Sequence, residues 1–457
     1  MKKQSFLYIR TLILLGFGLA YAFIIPPFEA PDEPAHFARA YGIAEGQFIL
    51  KDHPRKLVLF LKQVIENRLE ARHTEDASPI VMEMKQLLDQ YGDRIPNIAY
   101  NTAQYSPIPY IFHAAVIKLV MIFDNSNSSP LLMLYLCRIM SLFLFAFLLF
   151  LSFLLFPCAS WPLFWIAITP MALSQASIVS VDYIVFCSFI ILLSTSLGNL
   201  RYRTYSLCLI PSTFFLIITK PPYLPLLLVP AISLFYIKSE KKLYRLTSLL
   251  SAIVIALIGV FIWSYLVKSL GIYNETLDGI RRYIGPEINP LDQLGLVVQF
   301  PAQFCKVIFR TLSVDGISLY HQLVGVLGWL DTPIPLWVAV GWGIFSFVPI
   351  LIADTPQYIR YKSSLLLGIT CIVAAVLTFL SVLIAIYMVW MPVGSATVNL
   401  QGRYFHPVIA AFFTGAVLMK PFNIDYEYKL LGAWSLLVMS AVINVVSVFT
   451  LVQKYWS

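Results

Sequence analysis

The residues in this chain best suited to chemistry are acids and bases placed at the ends of apolar runs. Straight after the first apolar run comes Pro26-Pro27-Phe28-Glu29-Ala30-Pro31-Asp32-Glu33-Pro34-Ala35-His36-Phe37. Paired carboxylates such as Asp32 and Glu33 can hold a divalent cation, Mg2+ or Mn2+, or take a proton from a hydroxyl. A helix starting near Pro34 would bring His36 and Arg39 within its first turns, close to the acids. The plainer reading is that Asp32 or Glu33 caps that helix. Asp182 opens a later apolar run in SIVSVDYIVF, and Asp331 sits in GWLDTPIP. Acids at membrane ends are rare enough to be functional candidates by default, although either of these could also cap a helix. Three cations, Arg138, Lys220 (in TKPPY) and Arg403 (in NLQGRYF), stand at run ends or early within a run. Each needs a partner, either an anionic ligand or a structural carboxylate such as Asp331.

The elements that must position these groups are membrane helices. Of 457 residues, 59% are hydrophobic and 12% charged, with mean hydropathy +0.78. A soluble chain carries about 25% charged residues, so this one needs lipid as its solvent. The net charge of +8 lies in short clusters between apolar runs. That is the positive-inside pattern of cytoplasmic loops and not a nucleic-acid footprint. The six cysteines are scattered singly, without metal or disulfide spacing. A span takes about 20 apolar residues. The runs 6–25, 131–156, 161–179, 182–199, 205–219, 222–237, 246–268, 335–353, 363–390, 404–419 and 430–452 predict an all-α polytopic membrane protein of about eleven transmembrane helices. The first run lacks a small-residue cleavage site and reads as a retained span with a cytoplasmic N-terminus. The clusters Arg201/Arg203, Lys238/Lys241/Lys242/Arg245, Arg360/Lys362 and Lys420/Lys429 all fall inside only if the run 107–123 does not cross. That run, with His113, Lys118 and two prolines at its start, suits an interfacial helix. Two long outer loops result, 26–130 and 269–334. Within them, segments 34–46, 54–72, 78–91 and 291–312 have helical periodicity and suit the interface.

This topology puts Asp32, Glu33, Asp182, Asp331, Arg138, Lys220 and Arg403 on one outer face. Cations to hold a phosphate, a carboxylate for a proton or metal, and a groove between spans for a lipid chain together suit a reaction on a phosphate-bearing lipid.

At this point a resemblance is visible. The acidic pair after the first span, the proline-led run YSPIPY and the acid of the next outer loop resemble the GT-C superfamily of integral membrane glycosyltransferases. PPFEAPDEPAHF, MALSQASIVSVD, GWLDTPIP and QGRYFHPV look like an uncharacterised family of bacterial polytopic membrane proteins usually placed there. The resemblance covers nearly the whole chain. It implies a GT-C-like fold and an inverting, metal-dependent or metal-assisted transferase of the bacterial cytoplasmic membrane, with its active site on the outer side. It further implies a polyprenyl-phosphate-linked sugar donor and an envelope glycan or glycolipid acceptor. By position Asp32 and Glu33 match the first-loop acids, Asp32 as the catalytic base. Asp182 matches the second-loop acid, and Lys220 a phosphate-contacting lysine. Arg403 is a family feature, and Arg138 a further cation for the phosphate. Tyr105 of YSPIPY, Gln401 and Tyr404 of QGRYF, His36, Arg39 and Asp331 complete the expected substrate contacts. The chain lacks the large soluble C-terminal domain of the oligosaccharyltransferase branch, so the acceptor type does not carry over. Rival expectations are a polymerase or ligase using lipid diphosphate-linked oligosaccharides, and a flippase for lipid-linked sugars. Most spans are uncharged at their centres, which favours an enzyme acting at one face.

Overall fold

The computed structural model describes residues 3–49, 57, 60, 100–123, 129–236 and 242–457. Helix α1 (Lys3–Ile24) stops before Pro26-Pro27, where the backbone cannot continue the hydrogen-bond ladder. Then follow α2 (Glu33–Ala44), α3 (Tyr100–Ala103) and a 3-10 turn, Ile108–Tyr110, that leads into α4 (Ile111–Phe123). Helix α4 packs against α2 and against α5 (Pro130–Leu155). The expected span 161–179 is broken at Pro170 into α6 (Ser160–Ala167) and α7 (Pro170–Ala176). Helices α8 (Asp182–Leu197) and α9 (Tyr202–Thr219) come next. The proline-rich run after Lys220 makes a 3-10 stretch, Pro221–Leu227, before α10 (Leu228–Tyr236).

The second half holds α11 (Lys242–Ser269), α12 (Ile272–Ile284), α13 (Pro290–Gln299) and α14 (Pro301–Gly325). The single interfacial helix expected at 291–312 is therefore two helices, parted at Phe300 because Pro301 has no amide to donate. A short antiparallel hairpin pairs Val326 with Pro333 and Leu327 with Thr332. Helices α15 (Leu336–Phe345), α16 (Phe347–Ile352), α17 (Tyr361–Trp390), α18 (His406–Met419) and α19 (Tyr426–Tyr455) complete the chain. Of the expected interfacial segments, 34–46 corresponds to α2. Segment 78–91, and all of 54–72 except Leu57 and Phe60, lie outside the described residues.

The protein is thus all-α and membrane-like. Among the described residues 5 helices are long and apolar enough to cross a membrane: Ser5–Ile24 of α1, with α5, α11, α17 and α19. The other expected spans coincide with shorter or interrupted apolar helices, such as Asp182–Leu197 and Pro221–Tyr236. Helices α1 and α19 run parallel. The Phe6 ring lies 5.5 Å from the Trp434 ring at one end, Tyr21 donates to Asn444 (3.0 Å) midway, and Trp456 donates to the Ile24 carbonyl (2.9 Å) at the other end. The Phe6 end gathers basic residues. Lys429 pairs with Asp354 there at 2.6 Å, Arg245 donates to the Leu200 carbonyl, and the Tyr358 hydroxyl joins the Leu197 carbonyl. The Ile24 end carries the site.

Candidate functional site

Pro26-Pro27 ends α1, and the chain turns back through Phe28 (φ 64°) and Asp32 (φ 62°), both in the left-handed region. Non-glycine residues adopt that conformation at a cost of order 1–3 kcal/mol, and it tends to collect at functional sites. Asp32 stands at the N-cap position of α2, yet its side chain makes no capping hydrogen bond. Its Oδ2 instead accepts from Arg403 Nη2 at 2.6 Å. The capping reading therefore does not describe Asp32.

Nor does Glu33 act as a second open acid. Its carboxylate is fully buried and accepts from Arg138 Nε (2.7 Å) and Nη2 (2.5 Å), and from the amides of Phe28 and Val179 (both 3.1 Å). Arg138 also donates to the carbonyls of Ala22 (2.8 Å), Ile25 (2.6 Å) and Pro26 (3.0 Å). A guanidinium has five N–H donors, and all are committed. In this arrangement both Glu33 oxygens are taken up by Arg138 and two backbone amides, and each of the five Arg138 N–H groups has an acceptor within the protein. Together they clamp the end of α1, the turn before α2 and the segment before α8, and so fix where Asp32 and Asp182 stand.

Asp182 opens α8, and Lys220 closes α9, which suits the dipole at each helix end. The two form an ion pair. Arg403 sits in a 3-10 turn, Gly402–Phe405. Gly402 is required there: a Cβ would run into the Leu319 carbonyl and the Leu323 amide of α14. His406 secures the turn, its ring nitrogens lying 3.0 Å from the Arg403 carbonyl and 3.1 Å from that of Leu323. From this seat Arg403 Nη1 reaches Asp182 at 3.6 Å, so one guanidinium joins Asp32 to Asp182. Its Nε donates to Gln401 Oε1 at 2.7 Å, and Nη1 stands 3.5 Å from Gln175 Oε1. The Tyr404 ring lies between the cations, 4.6 Å from Lys220 Nζ and 5.2 Å from the Arg403 guanidinium carbon, which suits a ring face. Tyr223 holds that residue by donating to its carbonyl at 2.7 Å.

His36 completes the cluster from α2. Its Nδ1 meets the Tyr110 hydroxyl at 2.8 Å, and its ring is stacked 6.5 Å from Tyr105. Burial drives the imidazole down to about 4 against the pull of Asp32 and Asp182, so it is neutral at ordinary pH. Burial likewise pushes the Tyr105 phenol up to about 12, with Lys220 opposing. For Lys220, burial favours the neutral amine, but Asp182 outweighs it and holds the ammonium above its usual range. Arg403 is raised in the same way, burial being overcome by Tyr404, Asp182 and Asp32.

Of the residues expected from sequence, Asp32, Asp182, Lys220, Arg403, His36, Tyr105, Gln401 and Tyr404 come together. Arg39 stands behind them, donating to the carbonyls of Phe48 (2.9 Å) and Tyr105 (3.1 Å) and facing the Trp263 ring. Asp331 is elsewhere. It pairs with Lys454 at 2.6 Å in the hairpin turn and is not the partner of Arg403. Sequence reasoning missed Tyr110, Tyr223 and Gln175. They lie inside the motifs YSPIPY, TKPPY and MALSQAS, but nothing in their spacing marks them as site residues.

A divalent cation does not fit this donor set. Oxygen-ligating metals take several open carboxylate and carbonyl oxygens. Here Asp32 and Asp182 are each turned to a cation, Glu33 faces the other way, and no group of three His, Cys, Asp or Glu among the described residues could hold a metal. Below the charges a cavity of about 20 Å³, room for a water molecule, lies between Gln175, Asp182, Arg403 and the apolar Phe145, Val185 and Phe186. The arrangement can therefore hold an anion on two fixed cations beside a carboxylate able to receive a proton.

No curated protein and no solved structure matches the chain. Residues 15–412 match the model of a family described as predicted membrane protein (DUF2142), and to that family this chain belongs.

Proposed function

We propose that this protein is a GT-C-type glycosyltransferase that moves a sugar from a polyprenyl-phosphate-linked donor to a hydroxyl of an envelope glycan or glycolipid. The observation that carries the reading is that Asp32, Asp182, Lys220 and Arg403, from four distant parts of the sequence, meet at one end of an apolar helix bundle. Two cations beside two carboxylates at a membrane end suit a lipid phosphate, which brings an anionic head together with a tail that the bundle can accommodate. The rings of His36, Tyr105 and Tyr404 beside the charges offer faces and polar edges to a sugar.

In the proposed reaction the acceptor hydroxyl gives its proton to Asp32. Its oxygen bonds to the anomeric carbon as the bond from that carbon to the phosphate oxygen breaks. The electron pair leaves on the phosphate, and the products are the glycosylated acceptor and polyprenyl phosphate. Attack opposite the leaving phosphate inverts the anomeric centre. Arg403 and Lys220 stabilise the charge that grows on the phosphate. No step is routed through a metal.

The test is transfer of radiolabelled sugar from a synthetic polyprenyl-phosphate donor in membranes that contain the protein, with Asp32→Asn beside it. Losing a general base typically costs about 10²–10⁴-fold in rate. A variant of normal stability that keeps near-normal turnover would sink Asp32 as the base. Failure of the wild type with every polyprenyl-phosphate sugar offered would sink the donor class.

A further inference from the structure

We propose that Trp329 is a positioning residue for Asp32, fixing from the hairpin 326–333 the turn on which that acid stands. This deepens the transferase reading above and rests on it.

Phe28 and Asp32 are both left-handed, with φ of 64° and 62°. Such residues persist only where their surroundings over-determine them. Phe28 is tied through both peptide groups that flank its Cα. Its amide donates to Glu33 Oε2 at 3.1 Å, and its carbonyl accepts from Trp329 Nε1 at 3.0 Å. Peptide groups are planar, so holding these two holds φ and ψ together. The Phe28 ring adds a further contact, 5.9 Å from that of Phe37 in α2. Inside the turn the backbone bonds are long, 3.2 Å from Glu29 to Pro26 and 3.3 Å from Glu33 to Ala30. Losing the indole N–H therefore removes a principal tie on the side of Phe28 that leads to Asp32.

The hairpin is suited to this task because it continues α14, whose last turns seat Arg403. Gln322 Oε1 accepts from the Gly402 amide at 3.1 Å, and the Leu323 carbonyl faces His406. A few residues further on, the chain turns at Gly328 (φ 61°), where a Cβ would meet the Asp331 carboxylate and the Thr332 hydroxyl. The hairpin is stiff. The Ile334 amide donates back to the Gly325 carbonyl at 2.9 Å, and Asp331 pins the tip to Lys454 of α19. One continuous piece thus grips the turn of Arg403 at one point and the turn of Asp32 at another. It sets the base against the phosphate cation, a separation on which in-line attack depends. This gives the motif GWLDTPIP a role: Gly328 turns, Trp329 reaches and Asp331 anchors.

The test uses Trp329→Phe, which removes the N–H and keeps a ring, in the full chain in nanodiscs. Trp329→Leu stands in should that variant not purify as a single species. Hydrogen exchange read by mass spectrometry needs no donor. Peptides over 26–36 should exchange faster by up to about tenfold, the worth of one lost hydrogen bond, while peptides over 400–408 keep the wild-type rate. Unchanged exchange over 26–36 would overturn the proposal. Transfer is measured in Trp329→Phe, Asp32→Asn and the double variant. In Trp329→Phe kcat should fall by about 10- to 100-fold, with polyprenyl phosphate affinity within about twofold of wild type because the seat of Arg403 is untouched. In the Asp32→Asn background the same change should cost little, because the base it positions is gone. An equal loss in both backgrounds, or a normal kcat despite faster exchange, would overturn the link to Asp32. Absence of transfer in the wild type would remove the transferase reading, and exchange alone would then decide whether Trp329 holds the turn.

Discussion

Glu33→Gln separates an acid that positions from an acid that reacts. Glu33 receives two hydrogen bonds from Arg138 and one each from the amides of Phe28 and Val179, with both ion-pair side chains fully buried. Glutamine keeps the shape but offers only one acceptor oxygen. Its amide nitrogen must then face Arg138 or a backbone amide, donor against donor. The three carbonyls on Arg138 remain, so the guanidinium keeps part of its shell. Removing one partner of a buried ion pair typically costs about 3–5 kcal/mol. Larger chains lose fewer degrees of Tm per kcal/mol than small ones, and about 5 °C or more is the expected fall here. Melting in nanodiscs followed by tryptophan fluorescence, with transfer measured on the same preparation well below the melt, is the assay. The expected result is a lowered Tm with transfer retained per folded molecule, the reverse of Asp32→Asn. A Glu33→Gln protein with unchanged Tm and no transfer would refute the clamp and return Glu33 to the reacting set.

Three further outcomes follow from the same geometry. His36 is buried with a value near 4, below the ordinary 6.5, so the fold favours the neutral ring. Stability from this residue is full above about 6.5 and is lost as pH falls toward 4, a ceiling of roughly 3 kcal/mol. Melting at pH 7 and at pH 4.5 should therefore differ more for wild type than for His36→Gln, and equal differences would count against it. Because each carboxylate of the site is turned to a cation, transfer should withstand EDTA within about twofold, and loss on chelation with recovery on adding Mg2+ would show a metal site after all. Gly402→Ala should push the Arg403 turn away from α14. Overpacking costs about 1–3 kcal/mol, and a misplaced phosphate contact costs up to about 10²-fold in activity; normal polyprenyl phosphate binding by this variant would show that the turn tolerates the shift.

Much of the fold is legible from local chemistry. Apolar runs become helices wherever they occur, and Pro26-Pro27 marks the end of α1 because proline cannot donate to the ladder. The interruption at Pro170, the 3-10 stretch after Lys220 and the break at Phe300 could have been read from the same signal, but a hydropathy window averages over single prolines. The charges of the site are legible for a different reason. A cation such as Lys220 or Arg403 at a membrane end stands out because an apolar solvent leaves so few charges to consider.

Pairing was not legible, because it depends on distances between residues hundreds of positions apart. Asp32 and Glu33 are adjacent acids with the same chemistry in the sequence, and nothing local says which one reacts. The turn through Phe28 and Asp32 sends the first carboxylate to Arg403 and buries the second against Arg138. Asp331 matched Arg403 in charge and in expected side, yet its hairpin carries it to Lys454. The sequence by itself determined that this is an apolar, all-α chain with a few chemically expressive residues at its helix ends. Only the tertiary structure decided which of them share a guanidinium, because an ion pair forms by approach in space and composition constrains no such approach.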